Sequence, residues 1–421
     1  MNFQTPKGMN RRHFMSHLAG ASALAASASM LTSTVKANAA KMVKNQKAAI
    51  LLWMGGGPSS IDIWDLKPNS NNGGPFRPIA TNGDMQICEH MPLMANNMDK
   101  ISLVRSMSTR EADHTRGRYY MHTGFTPNPN IKHPSYGSVV AHELGGDRSE
   151  LEIPAFVSVG GGSEGPGFLG MSYAPFNVDA NGRVRNLDMG IPVDRVTQRM
   201  AALQMMESKF IQQNRGGAAL EHAKVIDKTL SLMTSKQMEA FRVEKEDQKV
   251  RERYGENNFG RGCLLARRLV SAGVPFVEVN LGGWDNHDNI FDTLQNQRLP
   301  QLDQGMSALM EDLHQSGMLE STAVIWMGEF GRTPRINGDT GRDHWARSWS
   351  VAVGGAGIKP GLAVGETNED GTKVVGQSWT SQDLMATVCK ALDIDLSKTF
   401  MSGNGRPMKI ANGGKVITDL I

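Results

Sequence analysis

The stretch Thr322-Ala323-Val324-Ile325-Trp326-Met327-Gly328-Glu329-Phe330-Gly331-Arg332-Thr333-Pro334 decides how this chain is read. Thr322 to Ile325 is short, apolar and β-branched, the composition of a buried strand. It runs into an acid, Glu329, set between Gly328 and Gly331. Open α/β sheets present their chemistry this way, with a polar group on a turn at the carboxyl edge of a strand. Gly341-Arg342-Asp343-His344-Trp345 follows on polar, glycine-rich sequence. The segment from 326 to 345 offers little to a core, so its polar groups need another explanation.

The same pattern recurs upstream. Lys47 to Met54 reads as a strand and ends in Gly55-Gly56-Gly57-Pro58-Ser59-Ser60-Ile61-Asp62-Ile63-Trp64-Asp65. The glycines let the backbone turn sharply. The Lys of a phosphate-cradling loop is missing. Asp62 is therefore expected to be an acidic metal ligand, the alternative being a turn whose aspartates cap a helix. Val274 to Leu281 is a further strand, ending in Gly282-Gly283-Trp284-Asp285-Asn286-His287. Asp285 and His287 alternate along the backbone, so both can face one ion. Imidazole with carboxylate is typical of zinc, manganese or iron. His314, on an amphipathic helix over 296–317, reads as surface.

A third constellation follows the strand Ile101 to Arg105. His114-Thr115-Arg116-Gly117-Arg118 opens a short helix, Thr115 to His122, that Gly124 closes. His114 and Thr115 then lie where free amides and the helix dipole favour an anion. Arg118, three residues after Thr115, falls on the same face. A hydroxyl, a base and a guanidinium so placed would serve attack on a phosphoryl or sulfuryl group. A plain capping Thr115 is the alternative.

Further strands are expected at 154–160 and 348–353, and helices at 138–144 and 381–392. Gly161 to Pro175 reads as a surface or substrate-facing loop. The polar, helix-patterned stretch 192–272 reads as a helical insertion packed over the sheet. The expected fold class is α/β, one domain over 40–421 with a mostly parallel sheet.

The first 39 residues read as a twin-arginine export signal: Arg11-Arg12, a weak apolar run over Leu18 to Leu31, and Ala37-Asn38-Ala39 as the cleavage site. The run is too short and too polar to span a bilayer, and no other segment approaches a span. The expected partner is the twin-arginine export machinery, and the expected location is the periplasm or outside the cell. The formal charge of +3 belongs largely to this segment, since without it 41 bases face 42 acids. Nothing points to nucleic acid. Three widely spaced cysteines make no disulfide framework and no zinc knuckle. About 380 mature residues can bury a core of their own.

Gly56-Gly57-Pro58-Ser59 with Asp62 and Asp65, His114 with Thr123-Gly124, Gly283-Trp284-Asp285-x-His287, and Gly328-Glu329-Phe330-Gly331-Arg332-Thr333-Pro334 with Gly341-Arg342-Asp343-His344 together resemble a large bacterial family. It is the exported domain-of-unknown-function family 1501, in the alkaline-phosphatase-like superfamily that includes sulfatases. The resemblance implies a three-layer α/β sandwich with divalent metal at the carboxyl edge of its sheet. Aligned on Thr123-Gly124, it puts Arg118 on the sulfatase Arg and His114 in the nucleophile slot, with Thr115 next. No Cys or Ser stands there for conversion to formylglycine. The superfamily's Asp-His pair after a late strand appears here as Glu329-Phe330, and Asp343-His344 offer a replacement imidazole.

The expected function is therefore a metal-dependent hydrolase of phosphate or sulfate esters. Asp62, Asp285, His287, Glu329, Asp343 and His344 are the candidate ligands to zinc, manganese or calcium. His114, Thr115 and Arg118 are the candidate catalytic residues, acting on a small or polymeric anionic ester. The alternative is an exported binding or scaffold protein on a degenerate hydrolase fold.

Overall fold

The computed structural model describes residues 46–421 except 147, 185–192, 213–231, 233 and 234. The export signal and part of the expected insertion lie outside the described residues. The principal elements are β1 (Ala48–Trp53), β2 (Ser102–Met107), α1 (His114–Thr123), α2 (Tyr136–Gly145), β3 (Phe156–Val159), β4 (Phe176–Val178), α3 (Val193–Gln212), α4 (Gln248–Tyr254), α5 (Asn258–Ser271), β5 (Phe276–Asn280), α6 (Leu299–Gln315), β6 (Thr322–Met327), β7 (Trp349–Gly354), β8 (Ala363–Val364) and α7 (Ser381–Ala391).

Among the described residues the central sheet has eight strands in the order β8-β2-β7-β6-β1-β5-β3-β4. β1 pairs parallel with both β5 and β6. β7 runs antiparallel to both of its neighbours, β2 and β6. The sheet is thus mostly parallel, as expected. Sequence reading missed the short edge strands β4 and β8, whose two or three residues carry no period.

All six residues of β1 are buried. Ile50 and Leu52 join one hydrophobic cluster with Leu265 and Leu269 of α5 and Leu302 and Leu309 of α6. Ala49, Leu51 and Trp53 join the other, with Met121 of α1, Val140 of α2 and Leu384 of α7. A strand buried on both faces reads as a continuous apolar run because helices cover each side of a parallel sheet. The result is a three-layer α/β sandwich. Within the stretch expected as an insertion, α5 leads directly into β5 and supplies one of these layers.

Local signals set the helix ends. Asp113 caps α1 by accepting from Arg116 N (3.0 Å), and Gly124 ends it in the left-handed conformation (φ 74°). Asn257 caps α5 through Gly260 N, and Thr380 with Asp383 forms a capping box on α7. His314 on α6 is exposed, as expected. Cys88, Cys263 and Cys389 are free and buried. Burial pushes the Cys88 thiol up to about 12 and raises those of Cys263 and Cys389. Among the described residues no helix is long and apolar enough to cross a membrane.

Candidate metal centre

Adjacent strands β6, β1 and β5 end side by side, and the chain turns out of each into a polar loop. Gly55 N donates to Leu281 O (3.1 Å) and Met54 N to Met327 O (2.9 Å), which fixes the three turns against one another. At Gly56 (φ 118°) a Cβ would lie 2.5 Å from Asp285 N and 2.9 Å from the Trp284 carbonyl carbon. Only glycine lets the first turn lie this close to the second.

The third turn continues into a short ribbon, Gly331–Arg332 paired antiparallel with His344–Trp345. His344 is the direct partner of Arg332, so residues far apart in the loop share one edge. Asn337 organises the tip: its Oδ1 accepts from Asp339 N (3.0 Å) and Gly341 N (2.9 Å), and its Nδ2 donates to His287 O (2.9 Å). Arg342 anchors the ribbon from beneath. It is fully buried and donates to Asp62 through Nε and Nη2, both at 2.7 Å. It also donates to Asn72 O (3.0 Å), Thr333 O (3.2 Å) and Pro334 O.

Asp62 therefore stands apart from the other candidate ligands. Its oxygens are taken by Arg342 and by Ser59 Oγ (2.6 Å). Asp65 is likewise engaged, by Lys67 (3.0 Å) and Thr367 (2.5 Å).

The structure gathers Asp285, His287, Glu329, Asp343 and His344, and brings in His114 from the N-terminus of α1. His114 Nδ1 lies 2.6 Å from Glu329 Oε1, which also accepts from Gly56 N (2.9 Å). His287 Nδ1 lies 2.7 Å from Asp343 Oδ1, and His344 Nδ1 2.8 Å from Ala112 O. Carboxylate and carbonyl oxygens only accept, so each Nδ1 is the donor, and each ring in its neutral form turns an Nε2 lone pair inward. His114 Nε2 lies 3.2 Å from Asp285 Oδ2, without hydrogen-bond geometry. His287 Nε2 and His344 Nε2 lie 3.0 and 3.4 Å from Asp285 Oδ1, and 3.3 Å from each other. Ligand atoms of His114, Asp285 and His344 all fall within 4.8 Å of one another.

Arg332 completes the centre, and nothing in its spacing assigned it beforehand. Its side chain is buried and donates to Asp285 Oδ1 (2.5 Å), Gly57 O (2.8 Å), Arg342 O (3.2 Å) and Gly56 O, and its Nη1 lies 3.4 Å from His287 Nε2. Burial works to raise the Asp285 pKa, but the hydrogen bond and charge of Arg332, with His114 and His287, hold it at about 2. The hydrogen bond to Glu329 raises His114, against partial burial. Asp285, Glu329 and Asp343 against Arg332 leave two formal negative charges beside the three imidazoles.

Of the other candidates, Thr115 is exposed at the start of α1. The amides there already have an anion, the Asp113 carboxylate. Arg118 Nε lies 3.2 Å from Glu164 Oε1, on the loop after β3. The next turn of α1 buries His122 against Trp53 (ring centroids 4.1 Å) and 3.3 Å from Glu278, whose other oxygen accepts from Ser163 Oγ (2.6 Å).

These features define an α/β protein with a histidine–carboxylate cluster at the carboxyl edge of its sheet. The family model described as "Protein of unknown function (DUF1501)" matches residues 46–421, and the chain belongs to that family. No curated protein matches it. Solved structures with distant likeness include PsFucS1 sulfatase from Pseudoalteromonas sp., at 13% identity over 86% of this chain and 70% of that one (TM-score 0.37). A protein in the alkaline phosphatase superfamily from Vibrio parahaemolyticus is 12% identical over 90% of this chain and 71% of that one (TM-score 0.39). The alkaline phosphatase from the Antarctic bacterium TAB5 is 11% identical over 84% and 99% (TM-score 0.35).

Proposed function

We propose that the chain is an exported, metal-dependent hydrolase of phosphate or sulfate esters, with a divalent ion held by His114, His287, His344 and Asp285. One observation carries the reading: imidazole lone pairs converge on one carboxylate, with His287 Nε2 and His344 Nε2 only 3.3 Å apart. Two neutral rings so placed repel unless a cation or proton lies beside them, and Arg332 Nη1, 3.4 Å from His287 Nε2, reaches only one of the two. Glu329 Oε2 and His114 Nε2 are buried without hydrogen-bond partners, which further fits the donor set to an ion. Glu329 and Asp343 orient His114 and His287 from behind, the usual service of a carboxylate to a metal-ligating imidazole. A donor set rich in imidazole suits zinc better than calcium, with manganese served mainly by the carboxylate.

When bound, such an ion polarises an ester and acidifies water. The chain's own residues do the rest. Arg332 holds Asp285 ionised and in place. The Thr115 hydroxyl, or a water beside it, would supply the attacking oxygen as the ester's P–O or S–O bond breaks, its proton passing to the departing alcohol oxygen, and Arg118 would take the non-bridging oxygens in exchange for Glu164. The test is a panel of aryl phosphate, phosphodiester and sulfate ester substrates with added zinc, manganese, calcium or magnesium. Wild type is expected to hydrolyse at least one. Arg118→Ala is expected to fold normally and lose roughly a hundredfold in turnover, as for other donors to developing charge. Full activity of Arg118→Ala would remove the anion-holding role.

One observation favours a binding or scaffold protein instead: Arg332 already neutralises Asp285 at 2.5 Å. That reading requires wild type purified from zinc- and manganese-supplemented cells to carry no stoichiometric metal.

Export rests on Arg11-Arg12 and Ala37-Asn38-Ala39. Arg11→Lys/Arg12→Lys is expected to leave unprocessed precursor in the cytoplasm, read by fractionation and N-terminal sequencing. Normal processing of the double variant would end the proposal.

A further inference from the structure

Away from the histidine cluster, a cavity of about 590 Å³ opens beyond β4, between the turn 179–183, the segment 241–244 and the N-terminus of α5. Arg183, Arg242, Arg251 and Arg261 line it, against Glu244 and Glu256 as the only carboxylates among the described residues. Phe241 and Leu264, both buried, form its apolar floor.

These arginines are unlike their neighbours. Arg267 and Arg268 each meet Glu246, at 2.7 and 2.5 Å, and Arg253 meets Asp312. No ion pair to a described residue is formed by Arg183, Arg251 or Arg261. Arg261 spends its terminal nitrogens on Glu256 O and Asn258 Oδ1 (2.7 Å). Among the described residues Arg242 has only Glu239, at 3.7 Å. The Nε atoms of Arg251 and Arg261 are buried without hydrogen-bond partners. A donor removed from water and left unmade is unfavourable. Arg267 Nε is unmade as well, but that guanidinium meets Glu246, whereas Arg251 and Arg261 meet no described carboxylate.

The cavity wall is also set in place. Asp179 Oδ1 accepts from Asn181 N and Arg183 N, both at 2.9 Å. A Cβ at Gly182 (φ 73°) would run into the Phe241 carbonyl, so the turn carrying Arg183 packs directly on the segment carrying Arg242.

We propose that this cavity is a second anion-binding site, for an organic polyanion whose phosphate or sulfate groups sit on a compact carbon frame. Guanidiniums favour such oxyanions because each offers a planar pair of donors. The apolar floor receives the carbon frame, and the volume is that of a small-ligand pocket. The site is independent of the hydrolase reading.

Calorimetric titration of the mature chain in EDTA tests it, with inositol hexakisphosphate and sucrose octasulfate as separate probes and inorganic sulfate as the single-group control. Saturable binding of at least one probe, weakening with added salt, is expected. Arg251→Gln/Arg261→Gln is expected to lose roughly tenfold or more in affinity, the scale of a lost charge-assisted hydrogen bond. Phosphate and sulfate arms tell which group the site takes. Because the Gln pair could unfold the chain, Arg251→Lys is the companion: it keeps the charge, loses the planar pair of donors, and is expected to weaken binding by less. His114→Ala/His344→Ala is expected to bind as wild type does. No saturable binding, unchanged affinity in the folded Arg variants, or loss of binding only in the histidine variant would overturn the site.

Discussion

His287→Ala/His344→Ala is expected to purify without metal, where wild type retains it through dialysis. Both rings turn Nε2 toward Asp285, and both Nδ1 atoms are fixed by acceptors, so each substitution deletes an oriented ligand. His287 is half exposed and His344 a quarter exposed, so removing the rings opens no enclosed core cavity. An ion that binds only the folded state at a hundred times its Kd adds about 2.7 kcal/mol of stability. Wild type should therefore melt higher with zinc or manganese than with EDTA, and the double variant should melt alike in both. Elemental analysis and paired melting curves are the measurements. Equal metal content in the two proteins would remove the centre, whatever the activity.

The second large effect is structural. Arg342→Ala is expected to cost about 3–5 kcal/mol, because it strands the Asp62 carboxylate in a site that water does not reach. Asp62→Ala/Arg342→Met should cost less than the single Arg342→Ala, since a buried pair replaced as a unit leaves no orphan charge. Chemical denaturation of the three variants decides it. A loss below 1 kcal/mol for Arg342→Ala would mean that the ribbon 331–345 is held by something else. The single variant should also weaken metal binding, because Arg342 ties Thr333 and Pro334 to the loop that carries Asn72 and Asp62.

Much of the fold was legible because apolar runs bounded by glycine mark β1, β5 and β6 without help from tertiary context. The centre was legible in part for the same reason: a polar residue just past such a run sits at the carboxyl edge. Spacing alone does not say which polar residue turns inward. Asp62 and Asp285 both follow glycine turns, yet Asp62 lies in a helical turn that points it at Arg342, while Asp285 sits at the centre of a tight turn, Asn286 N donating to Trp284 O, beside His287. His114 was placed in a nucleophile slot by resemblance, but its ring joins the cluster from a different element, a fact that only tertiary packing supplies. Arg332 was invisible as a site residue because its neighbours come from loops near 56, 285 and 342. An arginine in a loop carries no period that would reveal it.

The buried thiols bear on where the chain can be made. Cys88, Cys263 and Cys389 each sit within a packed layer, with their thiols raised away from the reactive thiolate. A disulfide cannot join them without dismantling the layers, so maturation needs neither an oxidant nor an isomerase. The same folded molecule is chemically at home in a reducing or an oxidising compartment, and passage between them would leave its three thiols as they are.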